Sequence, residues 1–208
     1  MNISWHGLSC FEISTSQNKN HQVNIVIDPF DENLGLRLPK LEADILLITD
    51  LNQKNNTKAV TGDPFIINGP GEYEIKDVYI EGAPVLDEKN LTTIYTIEAE
   101  DLRICHLGNF KKSELSPDQV DKLGEIDILM VPIGGSISAK EAIKIMSQIE
   151  PHITIPMQYH LPKLKVKLDG LDKFLKALGI KKIETLPKLS IKKKNILPDE
   201  AKIIALEP

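Results

Sequence analysis

The sequence lacks the features that mark secreted, membrane or disulfide-bonded proteins. It contains 2 cysteines, Cys10 and Cys105, which are too few and too far apart for a disulfide framework or a zinc knuckle, so we expect both to be small buried hydrophobic residues. No stretch approaches the roughly 18 uncharged apolar residues of a spanning helix, and the N-terminus has no basic segment followed by an apolar one. We therefore expect a soluble, cytoplasmic protein with no membrane partner.

Aromatic residues are also scarce, at 5% of the chain, and the formal net charge is −5. The charge is unevenly distributed, because the segment 161–195 is rich in lysine. A basic segment can attract nucleic acid, but TLPKLSIKKKN within it has no aromatic side chain on which a base could stack. Nucleic-acid binding is therefore disfavoured, and we expect these lysines to form a solvated face.

The order of the apolar segments predicts the fold class. With 208 residues, 41% of them hydrophobic, and no internal repeat or low-complexity linker, the chain fits one domain over residues 1–208. Short strand-like segments such as VNIVID and DILLIT dominate the first half. Helical patterns follow at 116–124, 138–150 and 168–179, and the apolar runs DILMVPI and HITIPMQ lie between them. Strands followed by alternating helices and strands predict a layered α/β or α+β sandwich.

A series of short motifs strengthens this prediction. In chain order they are ISWHGLSCFEI, VIDPF, ADILLIT, GPGEYEI, ICHLGNF, IDILMVPIGG and PMQYH. Together they resemble the metallo-β-lactamase superfamily, in particular its cytoplasmic zinc-dependent hydrolases similar to ascorbate-6-phosphate lactonase. The resemblance extends from about Ile3 to Leu206. It implies an α+β fold, a four-layer αβ/βα sandwich in which loops at one edge of two facing sheets build a metal-binding cleft, and it gives Asp28 and Pro29 a scaffold role beneath that cleft.

The resemblance also implies where the metal ligands would lie. The family has His-x-His-x-Asp-His after the strand that corresponds to 45–49, and these residues hold one or two zinc ions. In this sequence the same positions hold Asp50, Asn52, Lys54 and Asn55. An amide is a poor zinc ligand beside imidazole, and an ammonium group repels a divalent ion. Every expected ligand in this loop is therefore replaced.

Two later motifs carry the remaining family ligands. HLGN resembles His-x-Gly-Asp, so His106 is kept while the bridging carboxylate becomes Asn109, and PMQY resembles Pro-Met-His-Tyr, so the last histidine becomes Gln158. These seven vestigial positions predict that no metal cofactor is bound, although the family cofactor is zinc, as two ions. We expect Lys54 to take the place of the cation, with Asp50 and the side-chain carbonyl of Asn109 or Gln158 as its acceptors.

Other residues are weaker candidates. His6, Asp87 and His160 could lie at the rim of the cleft, and Gly134 and Gly135 could present backbone amides to an anion at a helix N-terminus. A lone His106 is also typical of a hydrogen-bonded residue near a sheet edge. None of these residues belongs to a complete motif.

Two functions of different classes remain open from the sequence. The first is a catalytically silent homologue that kept the hydrolase fold, lost its metals, and binds an unknown ligand or protein partner or acts as a subunit, with a homo-oligomer left open. The second is an active hydrolase of the lactone or phosphoester class. Such an enzyme would use one magnesium or manganese ion held by Asp50, Asp87, His106 and His160, or a metal-free Asp50 and His106 pair.

Overall fold

The computed structural model describes residues 1–18, 21–87, 90–197 and 200–208. The strands are β1 (Asn2–Gly7), β2 (Cys10–Asn18), β3 (His21–Ile27), β4 (Leu41–Glu42), β5 (Ile45–Leu47), β6 (Val60–Thr61), β7 (Phe65–Ile67), β8 (Gly71–Ile75), β9 (Val78–Asp87), β10 (Asn90–Ala99), β11 (Leu102–His106), β12 (Ile128–Pro132), β13 (Ile153–Met157), β14 (Glu184–Leu186), β15 (Leu189–Ser190) and β16 (Lys202–Leu206). The helices are α1 (Pro117–Leu123), α2 (Ala139–Ile149) and α3 (Leu171–Leu178), with 3-10 turns at Glu32–Leu34, Thr57–Ala59 and Lys193–Asn195.

The strands form two large mixed sheets. The first has the order β15-β1-β2-β3-β5-β7, and the second has the order β14-β16-β13-β12-β11-β10-β9-β8. In the first sheet β1, β2 and β3 form an antiparallel meander, and β5 and β7 then add in parallel to β3. In the second sheet β8 to β11 are antiparallel, whereas β12, β13, β16 and β14 continue in parallel.

The main core lies between the two sheets. Along β3, Val23, Ile25 and Ile27 point into it, whereas the intervening Val26 points to the opposite face. This two-residue alternation is the expected consequence of the pleat, in which successive side chains leave opposite faces of a strand. Cys10 and Cys105 are both buried free thiols, and burial raises the pKa of each.

Helices α1 and α2 begin and end where local sequence signals place them, whereas α3 begins at Leu171, later than the pattern 168–179 predicted. The Ser138 side chain accepts a hydrogen bond from the Glu141 backbone N–H, and the Glu141 side chain accepts one from Ser138, so that a complete capping box starts α2. Ser116 and Gln119 form the same arrangement at α1. Helix α2 buries Ala142, Ile145 and Ile149, and it packs on α3 and β12. None of the described helices has the length and apolar character needed to cross a bilayer.

The outer face of the first sheet has a thinner cover. Its apolar side chains, including Cys10, Val26 and Leu46, pack with Phe30 and Leu41 under the loops that contain the first two 3-10 turns rather than under an α-helix in the described residues. The α+β sandwich prediction is confirmed, with this layer reduced to turns. The prediction that Gly134 and Gly135 lie at a helix N-terminus is wrong, since α2 starts only at Ala139.

The lysine-rich segment is largely solvent-exposed, as predicted, because all of its lysines are exposed. Lys193 also forms an ion pair with the buried carboxylate of Asp127, at 2.7 and 2.9 Å. Of the final strands, β15 forms one edge of the first sheet, and β14 forms one edge of the second sheet with β16 beside it. The sequence patterns did not predict these three strands.

Candidate functional site

Five strands end at one cleft between the two sheets. The chain leaves β3 at Asp28, β5 in the loop 48–56, β11 in the turn 107–110, β12 in the loop 133–138 and β13 at Gln158. These strands run parallel to their neighbours, β3 to β5 and β11 to β12 to β13, so their carboxyl ends meet at the same edge. The cleft there has a volume of about 530 Å³.

The carboxylate of Asp50 is buried beside the cleft, and the residue is 2% exposed. Its Oδ2 accepts a hydrogen bond from Asn109 Nδ2 at 3.0 Å, and its Oδ1 accepts one from the Asn52 backbone N–H at 2.9 Å. The Asn55 side chain donates to the Asp50 backbone oxygen at 3.0 Å. Three of the vestigial positions therefore bond directly to Asp50, and both of its carboxylate oxygens have a protein partner.

His106 is fully buried, and both of its ring nitrogens are bonded to the backbone. The Gly108 N–H lies 3.0 Å from Nδ1, and the Ser9 carbonyl oxygen lies 3.0 Å from Nε2. An amide N–H can only donate and a carbonyl oxygen can only accept, so Nδ1 carries the lone pair and Nε2 carries the hydrogen. Burial lowers the pKa of His106 to about 4, which keeps the ring neutral at physiological pH. No nitrogen lone pair of this ring is free for a metal.

Gln158 closes the opposite side of the cleft. Its Nε2 donates to the Gly108 carbonyl oxygen at 3.3 Å, and its Oε1 accepts from Ser136 Oγ at 3.2 Å. The residue has a φ of +53°, a left-handed conformation that is uncommon for glutamine, and its backbone N–H donates to the Leu8 carbonyl. Both polar atoms of the Gln158 side chain, and its backbone N–H, are therefore hydrogen-bonded. We refer to Asn109 and Gln158, which line the cleft, together with Asp50 and His106 behind them, as the floor of the cleft.

Asp28 is a second buried carboxylate beside the floor. Its two oxygens accept hydrogen bonds from the Thr49 backbone N–H, at 2.8 Å, and from the Thr49 hydroxyl, at 2.5 Å. Burial raises the pKa of Asp28 to about 6, against the lowering by hydrogen bonds from Thr49 and Ser9. Because these bonds connect the ends of β3 and β5, the scaffold role that the resemblance implied for Asp28 agrees with the geometry.

The prediction that Lys54 replaces the metal cation is wrong. Its side chain is exposed and lines the entrance of the cleft. It forms no ion pair with any carboxylate among the residues described. The physical reason is that Asn109 and the backbone of Asn52 already satisfy Asp50, so the buried carboxylate has no need of an ammonium partner.

The predicted rim residues do not join the site. His6 lies on β1, where its Nε2 is 3.3 Å from Glu12 Oε2, and His160 is exposed to solvent. Neither residue lines the cleft. The side chain of Asp87 lies outside the described part of the structure. Two of the ligands proposed for a rebuilt metal site are therefore missing. His160 does not line the cleft, and both ring nitrogens of His106 are already bonded.

The donor set does not fit a catalytic zinc ion. Zinc in hydrolases is held by about three protein ligands drawn from imidazole, thiolate and carboxylate, and the floor offers one carboxylate, one imidazole without a free lone pair, and two neutral amides. Across residues 1–18, 21–87, 90–197 and 200–208, no three histidine, cysteine or acidic side chains converge in such a cluster.

The structure also brings residues to the cleft that sequence reasoning missed. Ser9, Ser136, Val166 and Lys167 all line it. Ser136 follows the glycine pair of PIGGS, which could have signalled a close turn at a strand end. Lys167 carried no signal beyond its place in a basic segment, because its position depends on how the loop 161–169 folds back. Lys165 in that loop donates its backbone N–H to the Leu34 carbonyl at 2.8 Å.

Comparison with known proteins agrees with this architecture. The family described as the beta-lactamase superfamily domain matches residues 2–158. A crystal structure from Thermotoga maritima, assigned as a zinc-dependent hydrolase of the metallo-β-lactamase superfamily, has a TM-score of 0.83 and 32% identity, with 99% of this chain and 98% of that chain covered.

Relatives from archaea show a similar level of identity. A UPF0173 protein of Pyrococcus abyssi is 29% identical, with 76% of this chain and 83% of the relative covered. A protein of Methanopyrus kandleri named UPF0173 metal-dependent hydrolase is 26% identical, with 76% and 84% covered. The chain therefore belongs to the beta-lactamase superfamily domain family and has the metallo-β-lactamase fold.

Proposed function

We propose that this chain is a metal-free member of a family of metal-dependent hydrolases, and that its cleft binds a ligand without hydrolysing it. The observation that carries the proposal is the mutual hydrogen bonding of the floor. Asp50 accepts from Asn109, His106 gives both nitrogens to the backbone, and Gln158 bonds to Gly108 and Ser136. A metal would have to break these bonds before it found a ligand.

Loss of the metal would also remove the nucleophile. In metallohydrolases of this kind, a bound ion lowers the pKa of water to near 7, so that hydroxide forms at neutral pH. In a metal-free cleft, a general base would have to activate water without the help of an ion. His106 has no free nitrogen and a pKa lowered by burial, and each oxygen of the Asp50 carboxylate already accepts a hydrogen bond. Neither group meets the geometric requirement for a base within reach of a substrate proton.

The alternative is a hydrolase of the lactone or phosphoester class with a rebuilt site around Asp50 and His106. It requires the two side chains to act together, but each is bonded to other groups. A ligand would have to rearrange the floor to make this pair functional. For this reason we place the alternative second.

A thermal-shift titration with zinc and manganese tests the proposal. Binding to the folded state alone stabilises by about 2.7 kcal/mol when the ion is present at 100 times its Kd, which corresponds to roughly 5–10 °C in the Tm of a protein of this size. We expect the wild-type Tm to stay constant. A saturable rise with either ion, or hydrolysis of a lactone or phosphodiester that a chelator abolishes, would contradict the proposal.

A variant that restores the family ligands is the matched control. It combines Asp50→His, Asn52→His, Lys54→Asp, Asn55→His, Asn109→Asp and Gln158→His. Circular dichroism establishes whether it folds, and the folded variant should gain the zinc-dependent rise in Tm that the wild type lacks. Zinc should then bind because imidazole and carboxylate ligands return to the edge where the strands meet.

A further inference from the structure

The entrance of the cleft is basic. Lys54, from the loop after β5, and Lys167, from the loop 161–169, both line it and are both exposed. Neither forms an ion pair with a carboxylate in the described parts of the chain, whereas Lys173 in the next helix pairs with Asp169. We refer to Lys54, Lys167 and Val166, which also lines the cleft, as the mouth of the cleft.

The wall of the cleft is apolar. Leu8, Phe30, Leu34, Val166 and Leu168 contribute to its lining. Val166 is 40% exposed, although its neighbour Leu164 is buried. An apolar concave surface rimmed by charged groups is typical of a ligand pocket, because burying the apolar part of a ligand there removes hydrophobic surface from water.

The buried polar groups beside the cleft are bonded within the protein. Asp28 accepts from Thr49 with both oxygens, and the side chain of Gln158 bonds to Gly108 and Ser136. A polyol or sugar would lose hydrogen bonds to water on entry and would have to compete with these internal bonds, which is costly. A cationic ligand would have to pass two lysines. These features favour an apolar body with negative charge at one end.

We propose that the cleft binds an amphiphilic anion, with its apolar body against the wall formed by Leu8, Phe30 and Leu34 and its acidic head group between Lys54 and Lys167. The head group is a carboxylate or a phosphate monoester. This inference rests on the proposed function, since it takes the cleft to be free of metal. The lysines supply the charge that would otherwise come from an ion.

Titration calorimetry with four straight-chain probes that each contain eight carbon atoms tests the head-group preference. The probes are octanoate, octyl phosphate, 1-octanol and octylamine, all with EDTA present so that no metal can bridge the head group to the protein. We expect both anions to bind saturably, octanol to bind at least about fivefold more weakly, and octylamine to bind most weakly. Affinity for the anions should fall with added salt, because exposed charges are screened.

Fluorescence provides a second readout at the site itself. The chain has a single tryptophan, Trp5, and its Nε1 donates to the carbonyl oxygen of Leu8 at 2.9 Å. Since Leu8 lines the cleft, octanoate should change the Trp5 emission with the same Kd that calorimetry gives. Binding without a change at Trp5 would place the ligand elsewhere and overturn the proposal.

Variants at the mouth test whether the charge of the two lysines, rather than the apolar wall, determines the preference for anions. The double variant Lys54→Met with Lys167→Met should lose about fivefold in octanoate affinity for each lysine, with octanol affinity unchanged. Lys58→Met is the matched control, because Lys58 is an exposed lysine on the neighbouring turn that does not line the cleft, and it should bind octanoate as the wild type does. No saturable octanoate binding, equal affinity for octylamine, or an unaltered double variant would overturn the proposal.

The two proposals fail in different ways. If octanoate binds only after zinc is added in place of EDTA, the metal-free function is contradicted together with this inference. If neither zinc nor octanoate binds, the metal-free function stands and only the amphiphilic anion is rejected.

Discussion

The floor and the mouth of the cleft lie at the same end of the sheets, yet their polar side chains are used differently. At the floor, Asp50, His106 and Gln158 have protein partners for the groups that a metal or a substrate would need. At the mouth, Lys54 and Lys167 are exposed and have no ion-pair partner in the described residues.

This difference bears on the proposed absence of a metal from the cleft. A metal centre holds several buried polar groups together by supplying positive charge, and without it those groups need hydrogen-bond donors instead. Asn109 meets this need, because its Nδ2 donates to Asp50 where a second carboxylate would repel it. The floor is thus bonded within the protein, while the mouth opens into a cleft of about 530 Å³.

Gly108→Ala should have the largest effect on the floor. Gly108 has a φ of +58°, and a Cβ on it would lie 2.5 Å from Cβ and Oγ1 of Thr49. Left-handed strain of about 1 kcal/mol and an overpacking cost of about 3 kcal/mol should together lower the free energy of unfolding by about 4 kcal/mol. Thermal unfolding measures this as a Tm reduced by about 8 °C or more.

Gly179→Ala is the control for the backbone strain alone. Gly179 also has a positive φ, of +74°, but a Cβ on it would have no atom within 4 Å, so the cost should be about 1 kcal/mol. Equal losses of stability in the two variants would show that the turn at Gly108 is not tightly packed against Thr49. The floor would then be less tightly packed than the comparison with the mouth requires.

The pH dependence of stability tests the buried charge of Asp28. The pKa of this carboxyl is about 6 in the folded chain and 3.8 as its ordinary value, so between these pH values the folded state binds more protons than the unfolded state. Stability contributed by the protonated group is therefore lost as the pH rises from about 4 to about 6, by about 3 kcal/mol in total. Asp28→Asn removes this loss.

Urea unfolding at several pH values measures the effect as a difference between wild type and Asp28→Asn. We expect the variant to gain stability relative to the wild type as the pH rises through this window. His106 has the opposite dependence, since its lowered pKa destabilises the fold as the pH falls below 6.5 towards 4, but it is present in both proteins and cancels. A difference that does not change with pH would contradict the burial of a charged Asp28.

Lys54→Met should have the smallest effect on stability, below about 0.5 kcal/mol, because an exposed side chain without an ion pair contributes little to the folded state. Chemical unfolding at neutral pH measures it, and Lys58→Met provides the background for an exposed lysine. A loss above about 2 kcal/mol for Lys54 alone would revive the idea that its ammonium group replaces a cation at Asp50.

Local patterns in the sequence predicted much of the fold. The alternation in β3 and the positions of α1 and α2 depend on residues close in the chain, and so they could be read directly. The short strands β14, β15 and β16 could not. They are defined by long-range pairing, as between Leu189 of β15 and Ile3 of β1.

The motif order indicated which residues lie near one another, but not how they bond. Lys54, Asn55, Asn109 and Gln158 line one cleft, and Asp50 and His106 lie behind it, bonded to Asn109 and to Ser9. Which partner each one would find depended on distances that sequence cannot give. Asp50 could have bonded to Lys54 or to Asn109, and only the relative position of the loops after β5 and β11 decides between them.

The metal content of the native protein tests the central claim most directly. The chain would be expressed in zinc-supplemented medium, purified without chelator, dialysed, and measured by inductively coupled plasma mass spectrometry. We predict well below one zinc ion per chain, because the floor offers one carboxylate and no free imidazole nitrogen. One or two zinc ions per chain that survive dialysis and are lost on Asp50→Ala would contradict a metal-free cleft.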